Sequence, residues 1–119
     1  MKIDLQALVV PFVKAFYGEV ICSPERLAGL YGDESVCFSN SELFKGANEI
    51  VQGSAWRSQL DHHVHTSNVL LFGDNALIVV IGEVHSQALE QRSCFYETFA
   101  LVMREGGRVY VSHQSCVFG

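Results

Sequence analysis

The sequence predicts an α+β domain, in which three helices and a short hairpin lead into an antiparallel β-sheet, and three observations predict it. In the first half, apolar residues return every three or four positions in three separate stretches, which is the helical period. In the second half, four long strand-like runs are separated by turn residues. Helices come before the long strands and do not alternate with them, which is the order of an α+β chain and not of a parallel α/β sheet.

From Asp4 to Cys22, Leu5, Leu8, Val9, Phe12, Phe16 and Val20 form one stripe, with Asp4 placed to cap the helix and Pro11 placed to kink it. Ser23-Pro24-Glu25 starts a second helix through Leu27, Leu30 and Tyr31, and Gly32 stops it. Ser35 to Ser39 and Leu43 to Lys45 flank Asn40-Ser41-Glu42 as a hairpin. Gly46 to Leu60 then returns to helical spacing through Ile50, Val51, Trp56 and Leu60, with Gly53 as a weak point and Trp56 expected to act as a lid on the core. The long strands are expected at His63 to Phe72, Ala76 to Ser86, Ser93 to Met103 and Arg108 to Phe118. Gly73-Asp74-Asn75, a loop around Gln87 to Gln91, and Arg104 to Gly107 should connect them.

The sheet carries an anomaly. A sheet covered on one face alternates apolar and polar residues, yet Ala76 to Ile81 is apolar at every position and Phe99 to Met103 nearly so. Both faces therefore need cover, and three short helices can cover only one. A second copy of the sheet is the economical cover; a sheet curled around its own helices is the alternative. Choosing one parity per strand gives Val79, Ile81, Phe95, Glu97, Phe99, Tyr110 and Ser112 as the expected dimer interface. The opposite parity stays open, because a one-residue slip inverts every position.

Composition sets the class. A chain of 119 residues that is 49% hydrophobic is expected to form a single domain spanning 1–119, with enough apolar surface to fold. No apolar run approaches the ~20 residues of a membrane span, and the first residues lack a basic-then-apolar signal layout, so a soluble intracellular protein is expected, with no membrane partner. A net charge of −5 with no cluster of Lys and Arg argues against direct nucleic-acid binding. Cys22, Cys37, Cys94 and Cys116 have no metal-cluster spacing and are expected to be reduced core thiols.

Phe12-Val13-Lys14-Ala15-Phe16-Tyr17, Leu27-Ala28-Gly29-Leu30-Tyr31, Phe44-Lys45-Gly46-Ala47-Asn48-Glu49-Ile50 and Phe95-Tyr96-Glu97-Thr98-Phe99 stand in an order and spacing that resemble the nuclear transport factor 2-like (NTF2-like) family over nearly the whole chain. The C-terminal strand Val109 to Ser115 adds to the likeness. The resemblance implies a cone, in which a strongly bent antiparallel sheet wraps the three helices and commonly dimerises through its open face. It implies a non-enzymatic adaptor, paired with itself or with a related domain, in the nucleus and cytoplasm and at the nuclear envelope. Gln91-Arg92 before Phe95 looks like the small subunit of the mRNA-export receptor, and Ser23-Pro24 with Leu27, Leu30-Tyr31-Gly32 and Ser35 looks like the stress-granule scaffolds that bind Ras-GAP SH3 domains.

In those branches Phe-containing peptides, including the FG repeats of nucleoporins, dock in a groove beside the first helix. Phe12 matches that motif, Leu8 and Leu30 fill neighbouring positions, and Val117 stands where an aromatic residue is common; each also reads as ordinary core. A carrier of Ran-GDP is an alternative, although Ser39, Asn40, Gln87, Ala88 and Leu89 stand where that branch has acids. A hydratase or isomerase using the cone cavity is another, with Tyr17, Tyr31, Asp61, His65, Tyr96 and His113 as candidate acids and bases. No cofactor is expected. Of His62, His63 and His65, the last two share a strand face and could chelate a metal with a third ligand from His85 or His113 on neighbouring strands, but strand histidines at an exposed sheet edge are more often solvated, so no metal is expected. Their milder role would be to weaken a dimer on protonation.

Overall fold

A computed structural model describes residues 5–73, 75–103 and 108–119, apart from the side chains of Leu5, Gln6 and Leu8. The expected cap Asp4 and the expected turn from Arg104 to Gly107 lie outside the described residues. Helix α1 spans Leu5–Gly18, with Pro11 inside it, and a single 3-10 turn, Val20–Cys22, follows. Helix α2 is Pro24–Ala28, with Pro24 at its first position, where the missing amide hydrogen costs nothing. Strand β1, Tyr31–Ser39, begins four residues earlier than the sequence suggests. It turns through Asn40 and Ser41, both at positive φ (47° and 76°), into β2, Glu42–Lys45.

Helix α3, Ala47–Ser54, is half the length that its apolar spacing predicts, and it continues only as a 3-10 turn, Ala55–Gln59. Gly53 serves packing here. A Cβ at this position would stand 2.6 Å from the Phe44 ring, so the helix can lie on the hairpin only where a side chain is missing. Trp56 is 46% exposed, with its ring edge on Phe118 at 4.9 Å, so it is a surface contact and not the expected core lid.

Strands β3 (Asp61–Phe72), β4 (Asn75–Ser86), β5 (Gln91–Met103) and β6 (Val109–Phe118) complete one six-stranded sheet in the order β2-β1-β6-β5-β4-β3. The pairings are antiparallel except β1 with β6, which is parallel and departs from the all-antiparallel expectation. The Asn40 side-chain oxygen accepts the Phe118 backbone N–H at 2.9 Å, so the hairpin turn is fastened to the end of β6.

The helices lie on one face of this curved sheet. On it Phe16 meets Phe99 at 4.9 Å between ring centres, and Ile78, Val80, Phe95, Phe99, Leu101 and Val111 are fully or almost fully buried. Edge-to-face rings of this kind add about 1 kcal/mol each to the burial itself. Of the four cysteines, Cys37 and Cys116 are buried and Cys22 and Cys94 are exposed, so only two are core thiols, and all four are free.

The helix-covered face fixes the parity of every strand. Because β4 and β5 pair Val79 with Thr98 and Ile81 with Tyr96, the outward positions of β5 are Tyr96 and Thr98. Phe95, Glu97 and Phe99 point inward with no exposed surface, so three members of the expected interface are on the wrong side of the sheet. Val79, Ile81 and Tyr110 do face outward, with Ser112 at the β6 irregularity beside them. None of the described helices lies on the outer face. Phe38, Leu43, Leu70, Ile81, Tyr96 and Val117, each 38% exposed or more, are spread across it from β2 to β3.

Candidate functional site

Inside the cone, one acid organises the polar groups. Glu97 comes from the middle of β5, two residues from Phe95 and two from Phe99, and so shares their inward face. Its carboxylate accepts four hydrogen bonds. Arg57, from the 3-10 turn after α3, donates two of them in a bidentate pair at 2.8 Å each; Tyr17 of α1 donates one at 2.6 Å, and Gln114 of β6 another at 2.6 Å. The Tyr31 hydroxyl in turn donates to the Gln114 side-chain oxygen. The Arg57 guanidinium lies over the Phe118 ring at 5.1 Å and the Phe16 ring at 5.9 Å, where cation–π attraction adds to the ion pair.

Burial alone would raise the pKa of Glu97, but the Arg57 charge and the donated hydrogen bonds outweigh it and hold the carboxyl below its ordinary range. Burial also works against the charge on Arg57, and Glu97 reverses that, so the guanidinium is held charged. Burial, reinforced by the Glu97 charge, pushes the Tyr17 hydroxyl well up, and burial does the same to Tyr31, so both stay protonated donors. A carboxylate has about four acceptor positions, and here all are taken. Glu97 is therefore an acid with nothing left to accept from a substrate, and Arg57 has its fork spent on it.

His62 borders this network at the start of β3. Its Nε2 faces the Arg57 Nε at 3.3 Å, and its ring lies 5.5 Å from Tyr17 and 5.6 Å from Phe95. Burial and then the Arg57 charge lower its pKa to about 4. The unfolded chain, with an ordinary His at ~6.5, takes up this proton first. Stability from His62 is thus complete above about pH 6.5 and falls with pH until about 4, at a slope approaching 1.4 kcal/mol per pH unit. Glu97 acts in the same direction below ~4.5. Urea unfolding between about pH 7.5 and 4.5 should show the midpoint falling continuously, and His62→Phe should flatten the upper part of that curve. A wild-type curve that is already flat from pH 7.5 to 5 would remove the buried neutral imidazole.

Beside Tyr17 and His62, a solvent-open cleft of about 350 Å³ runs between α1 and β3, walled by Val10, Val13 and Val64 with Lys14 and Ser67. On the opposite side of the sheet His63, His65, Glu83, His85 and Arg92 line a second depression, of about 330 Å³. Among the described residues no three His, Cys, Asp or Glu side chains converge as a metal ion would require.

Among the described residues, those expected to line the peptide groove do not come together. Phe12 stacks on Phe16 at 6.0 Å and meets Phe99 edge-on at 5.4 Å, and Leu30 packs against the same core. Val117 is 49% exposed on the outer face opposite Tyr96, across the sheet from both. The Leu8 side chain is outside the described residues. The expected acids and bases of a cavity enzyme also separate. Tyr17 and Tyr31 belong to the Glu97 network, whereas Asp61, His65, Tyr96 and His113 are exposed. Sequence reasoning missed Arg57 and Gln114 as partners of Glu97. The inward direction of Glu97 had a signal, since aromatic residues two before and two after it declare which face of the strand they share.

No family profile matches the sequence, and no curated protein does either. Solved structures do. Nuclear transport factor 2 from Cryptosporidium parvum superposes with a TM-score of 0.77 at 18% identity, over 96% of this chain and 90% of that one. The fold is NTF2-like. A protein described as a dehydratase of the NTF2-like family, from Streptomyces avermitilis, gives 0.77 at 15% identity over 93% of each chain. The CaMKII hub of S. rosetta gives 0.76 at 14% identity, over 96% of this chain and 95% of that one. NTF2-like structures thus include a transport factor and a dehydratase, and identities this low carry the NTF2-like fold to this chain without carrying either activity.

Proposed function

We propose that this chain is a non-catalytic NTF2-like domain that pairs with a second copy of itself through the outer face of its sheet and serves as a protein-binding adaptor. The observation that carries the reading is the row of uncovered apolar residues on that face, together with an interior whose acid is fully engaged. Four strands ~4.8 Å apart and about ten residues long at ~3.3 Å each present roughly 600 Å² in projection. Side-chain relief brings this near the ~800 Å² per partner of a stable interface. Charge agrees with a second copy as the occupant. The molecule carries −5, yet on the outward side of β3 to β6 the described acids are only Asp61 and Glu83, because Glu97 points inward. Two like-charged molecules can therefore meet there with little repulsion.

Light scattering after gel filtration at micromolar concentration should return twice the 13.2 kDa chain mass. Tyr96→Glu or Ile81→Glu, each placing a charge at the centre of the face, should give the single-chain mass with an unchanged circular dichroism spectrum. A wild-type chain that is monomeric at about 100 μM, well above the Kd of an interface this size, would overturn the reading.

A further inference from the structure

We propose that the outer face is a proton-gated surface, which holds two copies together while its histidines are neutral and releases them when the histidines are charged. The inference rests on the self-pairing proposed above. Four of the five histidines sit on or beside this face. His63 and His65 of β3 and His85 of β4 share a depression with Glu83 and Arg92, and His65 Nε2 is 3.7 Å from Glu83 Oε2. His113 of β6 is exposed in the row of Ala100 and Leu77, with its Nδ1 3.0 Å from the Ser112 hydroxyl. His62, the fifth, belongs to the interior.

The other charged groups near these imidazoles are few. They are Asp61 on β3, Glu83 on β4, Arg92 on β5, the exposed Glu34 on β1, two residues before Val36, and Lys45 on β2, which lies across Val36 from His113. Cys94, Tyr96 and Tyr110 are the remaining titratable neighbours. With the imidazoles neutral, three acids face two bases. Imidazole is the one side chain whose charge ordinarily changes between pH 5 and 8. Protonation adds up to four positive charges to each face and eight to a facing pair, with only the acids of the two copies to oppose them. Every added charge has the same sign on both copies, so the repulsion does not depend on how the two sheets are turned. Packed sheets lie ~10 Å apart, close to the ~8 Å screening length of physiological salt, and the apolar face excludes the water that would weaken the effect further.

The test is sedimentation of the full chain at about pH 8 and pH 6, with near-ultraviolet circular dichroism at both, beside a variant carrying His63→Gln, His65→Gln, His85→Gln and His113→Gln. The dimer Kd of the wild type should rise about tenfold or more at the lower pH, and that of the variant should change less than about threefold. Equal wild-type association at both pH values would overturn the gate and leave the pairing intact. A variant that weakens as much as wild type, a wild type that tightens on acidification as a face made for an acidic partner would, or a loss of the near-ultraviolet signal would each overturn it as well. A wild type that is monomeric throughout would remove the pairing and the gate together.

Discussion

Arg57→Ala should destabilise the fold by about 3–5 kcal/mol, the cost of leaving a buried carboxylate without its counter-charge. Glu97 has no exposed surface, and the side chain of Arg57 is 3% exposed, so water cannot replace the lost partner without opening the core. Tyr17 and Gln114 would still donate one hydrogen bond each, but neither carries charge. For a domain of this size the loss corresponds to a melting temperature lower by roughly 10–20 °C. Removing the acid as well should return much of it. The pair Arg57→Met with Glu97→Leu replaces an ion pair by apolar volume, and such replacements range from neutral to stabilising. Denaturant unfolding of Arg57→Met, Glu97→Leu and the double variant forms a complete cycle. Singles that remain within about 1 kcal/mol of wild type would show that the pair is hydrated in solution and the interior open.

Gly82→Ala should be nearly as damaging, at about 3 kcal/mol, for a steric reason. Gly82 is buried in β4 opposite Val64, next to the irregularity where β3 slips by one residue between Val64 and Thr66. A Cβ there would overlap the His63 carbonyl oxygen and stand 2.8 Å from the Phe95 ring. The ring can tilt, but the carbonyl belongs to the neighbouring strand and can move only if β3 parts from β4. Thermal melts should show a drop of about 10 °C, and hydrogen exchange should place the new opening along the β3–β4 pairing. A variant with wild-type stability would mean that the strands tolerate a wider separation at this point.

Much of the fold was legible because the periodicities were clean. The helical stripe through Phe12 and Phe16, the turn at Asn40-Ser41 and the three-strand run from β4 to β6 all follow from local chemistry. The length of α3 did not follow, because the apolar spacing runs on through Trp56 and Leu60 while the backbone after Ser54 tightens into a 3-10 turn. The parallel pairing of β1 with β6 joins segments about 80 residues apart and leaves no mark in either. The site was less legible than the fold. Glu97 stood in a run that is apolar or aromatic on both sides, where choosing the face meant choosing between Phe95 and Tyr96 as the inward ring. The tyrosine, with a hydroxyl to keep in water, took the outside. Arg57 lay beside an exposed Trp in a 3-10 turn, and only the folded chain brings it to an acid 40 residues away.

The position of β6 bears on how the molecule is made. It comes last among the described strands yet lies between β1 and β5, where it joins the hairpin β1–β2 to the meander β3–β4–β5. A ribosome releasing this chain from its N-terminus exposes two unfinished half-sheets, each with an open border, until the residues from Val109 to Phe118 have emerged. Chaperones that shield such borders would have their longest engagement in that interval, and stalled translation short of Val109 would leave a fragment prone to aggregate.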